Sequence, residues 1–176
     1  MALCSSRDLL SSEYHMYAMQ NPERAGELTH KEAGYLTEIV TEVALQRGHN
    51  ILVDGSLRDH EWYQEYFAWL RDTHQNLRIA ILHIVADKAS IFARAERRGR
   101  ETGRVVPLET LEYSFRHVPI SVNKLAPSAD FFCELDNSAG AEEVGLKTSG
   151  ITWESFRKTW AQTMTCAPSP ASQGKL

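Results

Sequence analysis

Residues 50–59 read Asn-Ile-Leu-Val-Asp-Gly-Ser-Leu-Arg-Asp, "NILVDGSLRD". Three apolar residues, Ile51 to Val53, run straight into an acid, with a glycine, a hydroxyl and an arginine in the next four positions. The run is too short for a helix between Gly48 and Gly55, so the expectation is a buried strand over 51–53. Asp-Gly is a common turn, and Asp54 can be read as nothing more than the end of that strand. In an open α/β sheet, however, the carboxyl ends of the strands line the ligand crevice. An acid there accepts a hydrogen bond from a substrate hydroxyl or holds Mg²⁺ through water. Ser56 adds a hydroxyl, Arg58 a planar fork matched to phosphate, and Gly55 lets a ligand approach the backbone.

The flanks decide whether such a sheet exists. Thr29-His30-Lys31-Glu32 has the form of a capping box. Leu36, Ile39, Val40 and Val43 follow at helical spacing and Gly48 ends the pattern. Trp62, Tyr63, Tyr66, Phe67 and Leu70 mark an amphipathic helix over roughly 59–74, read as core-facing aromatics rather than a base-stacking platform. "RIAILHIV" (78–85) lacks alternation, the mark of a strand covered on both faces, with His83 packed inside it. A helix is expected from Asp87. Another starts with Pro107 as its first residue, uses Leu108, Leu111 and Phe115 as its inner face, and restarts at Pro119. "DFFCELDN" (130–137) is a third strand with a buried Cys133, "SAGAEEVGLKTSG" a loop, and Trp153, Phe156 and Trp160 a last helix. The fold class expected is α/β, a doubly wound and mostly parallel sheet. Residues 1–163 are expected to form one domain, and the Pro/Ser-rich tail 164–176 to be disordered. Three strands make a thin sheet.

Composition narrows the function. A net charge of −4 gives no global basic field, so neither nucleic acid nor an anionic membrane is the expected partner. The sequence has no apolar run near the ~20 residues of a membrane span, and "MALCSSRDLL" lacks the features of a signal peptide. Cys4, Cys133 and Cys166 share no metal-type spacing, which points to unpaired thiols and a cytoplasmic location.

Positive charge is concentrated in "RAERRGRETGR", Arg94 to Arg104, which carries a local +3 and leaves −7 on the rest of the chain. Arg94, Arg97 and Arg98 share a helical face. Gly99 and Gly103 are expected to loosen the backbone and place Arg100 and Arg104 on a mobile loop. A segment of this kind can close over a polyphosphate and neutralise developing charge. The alternative is a solvated basic helix end that complements the helix dipole. Beside the Asp54–Arg58 turn, phosphate is the favoured reading. The sequence contains no zinc-type His/Cys/Asp spacing and no G-x-S-x-G elbow.

Taken together, these blocks resemble the zeta toxin family of P-loop kinases over roughly residues 13–137. "EYHMYAMQNPERAGELTHKEAGYLTEIVTEVALQRGHNILVDGSLRD" is similar to the family's stretch from its early "PEY" to its acid-Gly-Ser/Thr-x-Arg motif. "ARAERRGRETGRVVP" resembles its arginine-bearing lid, and "VPISVNKLAPSADFFCELDN" its closing helix and last core strand. The resemblance implies a doubly wound kinase fold and phosphorylation of a small hydroxyl substrate by ATP and Mg²⁺, the family substrate being UDP-N-acetylglucosamine. It places Asp54, Ser56 and Arg58 on the substrate side and Arg94, Arg98 and Arg104 as phosphate-stabilising, catalytic arginines. No G-x-x-x-x-G-K-[ST] occurs in the sequence. The expectation is therefore a domain shortened before "PEY", without the first strand, the P-loop and the first helix, and impaired or inactive as a kinase. The family's general-base position falls within "CSSRD", with Ser5 near the register and Asp8 three residues away, so no base is assigned. The competing reading is a non-catalytic nucleotide- or partner-binding α/β module. An antitoxin-type partner is not legible.

Overall fold

The computed structural model describes residues 2–5, 11–138, 145–149 and 151–164, with side chains over 14–138 and 151–158. Helices and strands alternate along the chain in a mixed α/β arrangement. In order they are β1 (Ala2–Ser5), α1 (Ser11–Gln20), α2 (Ala25–Gln46), β2 (Ile51–Asp54), α3 (His60–Thr73) and β3 (Ala80–Val85). Then come α4 (Lys88–Thr102), α5 (Leu108–Leu125), a 3-10 turn (Ala126–Ser128), β4 (Phe131–Asp136), β5 (Gly145–Ser149) and α6 (Trp153–Met164). The chain divides into two compact units, Met1–His60 with Ala86–Val122 and Glu61–Val85 with Asn123–Leu176. Among the described residues no helix is long and apolar enough to cross a membrane. The tail expected to be disordered lies, from residue 165 on, outside the described residues.

The first unit is built on a parallel pair. β1 and β2 run side by side with Ala2 opposite Ile51 and Ser5 opposite Asp54, and α2 packs against both strands and against α1. β1 is a strand the sequence reading lacks, and with β5 it brings the strands among the described residues to five. β2 is also less covered than expected, with Leu52 and Val53 each 40% exposed. The reason lies in α2, which buries small and polar side chains, Ala25, Thr29, Thr41 and Ala44, and leaves Ile39 and Val43 exposed. Thr29 is no cap. The helix begins a turn earlier, at Ala25, and the Thr29 hydroxyl donates back to the Ala25 carbonyl at 2.8 Å, an i−4 bond available only inside a helix. At the other end Gly48 takes the left-handed conformation expected of it, φ +71°.

α4 opens where the sequence places it. Asp87 is extended and its carboxylate accepts from the Ser90 backbone N–H at 2.8 Å, a cap that contributes about 1 kcal/mol. α5 begins just after Pro107, whose carbonyl accepts from Leu111 N–H at 3.1 Å, so Pro107 precedes the first helical residue. The helix then runs unbroken through Pro119. A proline deprives only the carbonyl four residues earlier of its donor, here that of Phe115. Phe115 and Pro119 are both exposed, so water can replace the lost bond. The buried residues of α5 are Ser121, Val122 and Leu125, while Leu108 is exposed.

In the second unit β3 and β4 pair in parallel from Ala80–Phe131 to Val85–Asp136, and β5 adds antiparallel to β4. Residues 145–149, read as loop from their Gly/Lys/Thr/Ser content, are thus an edge strand. β3 alternates rather than burying both faces: Ile81 and His83 are inside, Leu82 and Ile84 outside. His83 sits opposite Glu134 with Nδ1 and Oε2 3.4 Å apart. The core here is aromatic. Phe131, Cys133 and Phe156 are buried together, and the rings of Phe131, Trp153 and Phe156 lie 5.2–5.5 Å apart. Of the α3 aromatics only Phe67 is buried, beside Leu70, while Trp62 and Trp69 are exposed and stack on Tyr66. The entry to β4 is pinned by Asp130, whose Oδ2 accepts from Ile79 N–H at 2.8 Å and from Arg71 Nη2 at 2.9 Å.

Candidate functional site

Everything the sequence singled out for chemistry falls in the first unit. Asp54 is the last residue of β2 and is exposed, with Ser5, the last residue of β1, opposite it in register. Two parallel strands therefore end side by side at this point, as a strand-end site in an α/β fold requires. The turn that follows puts Gly55 and Ser56 in solvent and half-buries Leu57 and Arg58. Its left-handed residue is Leu57, at φ +50°, and not Gly55.

α5 holds this turn at two consecutive residues. The Ser121 hydroxyl donates to the Leu57 carbonyl. The Arg58 guanidinium lies over the ring of Tyr113, 5.8 Å from its centroid. Tyr113 in turn stacks on His117, ring centroids 3.8 Å apart at 14°, and His117 Nδ1 is 2.8 Å from the Tyr113 carbonyl. Tyr113, His117 and Ser121 recur every four residues and so form one stripe of the helix. The sequence reading took Leu108, Leu111 and Phe115 as the inner face and passed over this stripe. Its Tyr-x-x-x-His-x-x-x-Ser spacing is the signal that was available.

The arginine segment is ordered helix further than expected. α4 continues through Gly99 to Thr102, so Arg100 lies on the helix and not on a loop. Gly103, at φ +70°, ends it, and its N–H bonds back to the Gly99 carbonyl at 3.0 Å. A Cβ on Gly99 would stand 3.6 Å from the Arg104 carbonyl oxygen and 3.8 Å from Val105, so the chain after α4 folds back over this glycine. Arg104 is half-buried, its guanidinium 5.8 Å from the centroid of the Tyr14 ring on α1.

The four arginines on α4 separate into two kinds. Arg97 and Arg100 are exposed and face glutamates four residues away, Glu101 at 4.0 Å and Glu96 at 2.9 Å. They belong to the solvated face, where such pairs contribute ~0.3–0.5 kcal/mol. Arg94 and Arg98, also four apart, are half-buried and have no ion pair among the described residues. Arg98 Nε is buried without a hydrogen-bond partner, as is the hydroxyl of Tyr14. Buried donors are nearly always satisfied, and each exception calls for an explanation such as a missing ligand. An oxyanion is the natural acceptor for a guanidinium. Lys88 and Glu112, 2.6 Å apart, link the start of α4 to α5. No hydrogen bond or ion pair among the described residues joins Asp54, Ser56 or Arg58 to Arg94 or Arg98. The turn is tied to α5 at Leu57 and Arg58, and α4 is tied to it at Lys88. Among the described residues no group of three or more His, Cys, Asp and Glu side chains is placed to hold a metal ion.

The sequence model of the family described as Zeta toxin matches residues 7–135, nearly three quarters of the 176 residues. The match takes in the Asp54–Arg58 turn, the whole of α4 and α5, and most of β4. Comparison with curated proteins found no match, and comparison with solved structures found none.

Proposed function

The chain belongs to the zeta toxin family, and from that premise we propose that it is a phosphotransferase domain of the family's doubly wound P-loop kinase type, taking a sugar nucleotide such as UDP-N-acetylglucosamine as acceptor. Asp54 accepts a hydrogen bond from the acceptor hydroxyl, Ser56 adds a second polar contact, and Arg58 faces the phosphate. Arg94, Arg98 and Arg104 neutralise the charge of the transferred phosphoryl group. The observation that carries this reading is the division of the arginine helix. Arg97 and Arg100 are matched to glutamates, while Arg94 and Arg98 are left half-buried without a carboxylate, one with a buried unsatisfied N–H. A merely solvated basic helix end gives no reason for a buried arginine N–H left without an acceptor. Phosphoryl transfer, which is chiefly positioning and charge stabilisation, does.

The fit to ATP and Mg²⁺ is uneven. The orphaned Arg98 Nε and the unpaired Arg94 suit phosphate oxygens. For Mg²⁺ the side chain on offer is the exposed carboxylate of Asp54, so the ion would be held mainly by nucleotide oxygens and water, its usual habit. When bound, it would draw negative charge from the phosphates. The sequence contains no G-x-x-x-x-G-K-[ST] cradle for the β- and γ-phosphates, so turnover by this chain is slow.

Phosphorus NMR of the chain with ATP, Mg²⁺ and UDP-N-acetylglucosamine tests this. The expected result is transfer well below the ordinary kinase range of ~1–100 s⁻¹. Turnover inside that range would contradict the impairment. Binding of the acceptor with no transfer at all would favour the second reading, a non-catalytic nucleotide- or partner-binding α/β module, whose lack of turnover the absence of that cradle from the sequence supports.

A further inference from the structure

Leu57 is the one non-glycine residue at positive φ among those described, and it stands between the two polar side chains of the turn, Ser56 and Arg58. Leucine is poorly suited to that conformation. It has a Cβ, unlike glycine, and no polar side chain to satisfy the local backbone as asparagine does. Such a residue persists only where its surroundings hold it. The holding group is on α5. Ser121 is 2% exposed, and the partner of its hydroxyl is the Leu57 carbonyl, 64 residues away in sequence. The next residue of the turn, Arg58, is met by Tyr113 of the same stripe.

We propose that Ser121 is a positioning residue of the acceptor turn, acting through Leu57. Its hydroxyl fixes the left-handed backbone that sets the chain direction between Ser56 and Arg58, so both side chains are presented in one arrangement before substrate arrives. Preorganisation of this kind lowers the ordering cost of binding. The proposal rests on reading the turn as the acceptor site, and the test has two arms so that the two can fail separately.

The first arm is amide hydrogen exchange at residues 56–59. The second is calorimetric titration with UDP-N-acetylglucosamine. Ser121→Ala should speed exchange at Leu57 and Arg58 beyond any change in global protection. It should weaken binding about fivefold, the share of one ordinary hydrogen bond. Adding Leu57→Asn, which favours the left-handed region, should restore both. Leu57→Val, at a half-buried turn position and poorly tolerant of positive φ, should reproduce the Ser121→Ala phenotype even if Ser121→Ala fails to fold. A Ser121 that merely fills the core would lower the melting temperature with no rescue by Leu57→Asn. That outcome, or unchanged exchange in Leu57→Val, overturns the proposal. If the wild-type chain binds no sugar nucleotide, the acceptor reading falls, and the exchange arm alone judges the anchor.

Discussion

Replacing Arg98 by methionine should stabilise the protein while weakening its hold on phosphate. Methionine keeps an unbranched stem of similar reach and removes only the guanidinium. In the wild-type chain Arg98 Nε–H is buried with no acceptor, and a buried unmet donor costs about 1–3 kcal/mol. Because the side chain as a whole is half-buried, the lower end applies, and the expected gain is about 1 kcal/mol. For a chain of this size that is roughly 2–4 °C in melting temperature. Arg97→Met is the control. It gives up an exposed pair at 4.0 Å, and should change stability by less than about 0.5 kcal/mol. Thermal melts with and without pyrophosphate read both effects. Wild type should gain about 1.4 kcal/mol at tenfold excess over its dissociation constant, and Arg97→Met should match it, while Arg98→Met should gain little. A loss of more than about 1 kcal/mol in Arg98→Met without ligand, or an unchanged pyrophosphate response, would refute the reasoning.

Two further predictions concern the second unit. Phe156 is 3% exposed, with its ring centroid 5.3 Å from that of Phe131 and 5.5 Å from that of Trp153; Phe156→Ala should cost about 3–5 kcal/mol in urea unfolding, and a cost below about 1.5 would show that this cluster is not a core. Burial raises the Cys133 thiol above its usual range. The folded state therefore keeps its proton after the unfolded chain begins to lose one near pH 8.5, so stability falls as pH rises through that value. Urea melts at pH 7 and 9.5 should show this fall in wild type and a smaller one in Cys133→Ala; equal falls would remove burial of this thiol as the cause.

Much of the architecture is legible locally. Apolar runs bounded by glycine locate β2, an Asp three residues before a serine starts α4, and aromatic spacing finds α3 and α6. What escapes is whatever depends on distant partners. β1 is four residues, Ala-Leu-Cys-Ser, and becomes a strand because Ile51–Asp54 lies alongside. β5 carries one large apolar residue, Leu146, and is defined by pairing with β4. The core face of α2 is written in alanine and threonine, which hydropathy ranks below Ile39 and Val43, so its periodic pattern points partly off the buried face: Leu36 and Val40 are half-buried, Ile39 and Val43 exposed. In the site, the acid, hydroxyl and arginine of the turn could be read directly. The division of the arginines was legible in part: Glu96 and Glu101 stand four residues from Arg100 and Arg97, but Glu101 also stands three from Arg98, and only the structure shows that it faces Arg97. The strain at Leu57 could not be, because the serine that holds it comes from another helix.

The central claim is that the end of β2 is a ligand site and not only a turn. Asparagine suits turns as well as aspartate does, so Asp54→Asn separates the two. Calorimetric titration of wild type and Asp54→Asn with UDP-N-acetylglucosamine is the most direct measurement. The account predicts binding by wild type and a loss of about 1.5–3 kcal/mol in the variant, tenfold or more in affinity, with the melting temperature unchanged because the carboxylate is exposed. Equal affinity in the two proteins, or no binding by either at millimolar ligand, would contradict it.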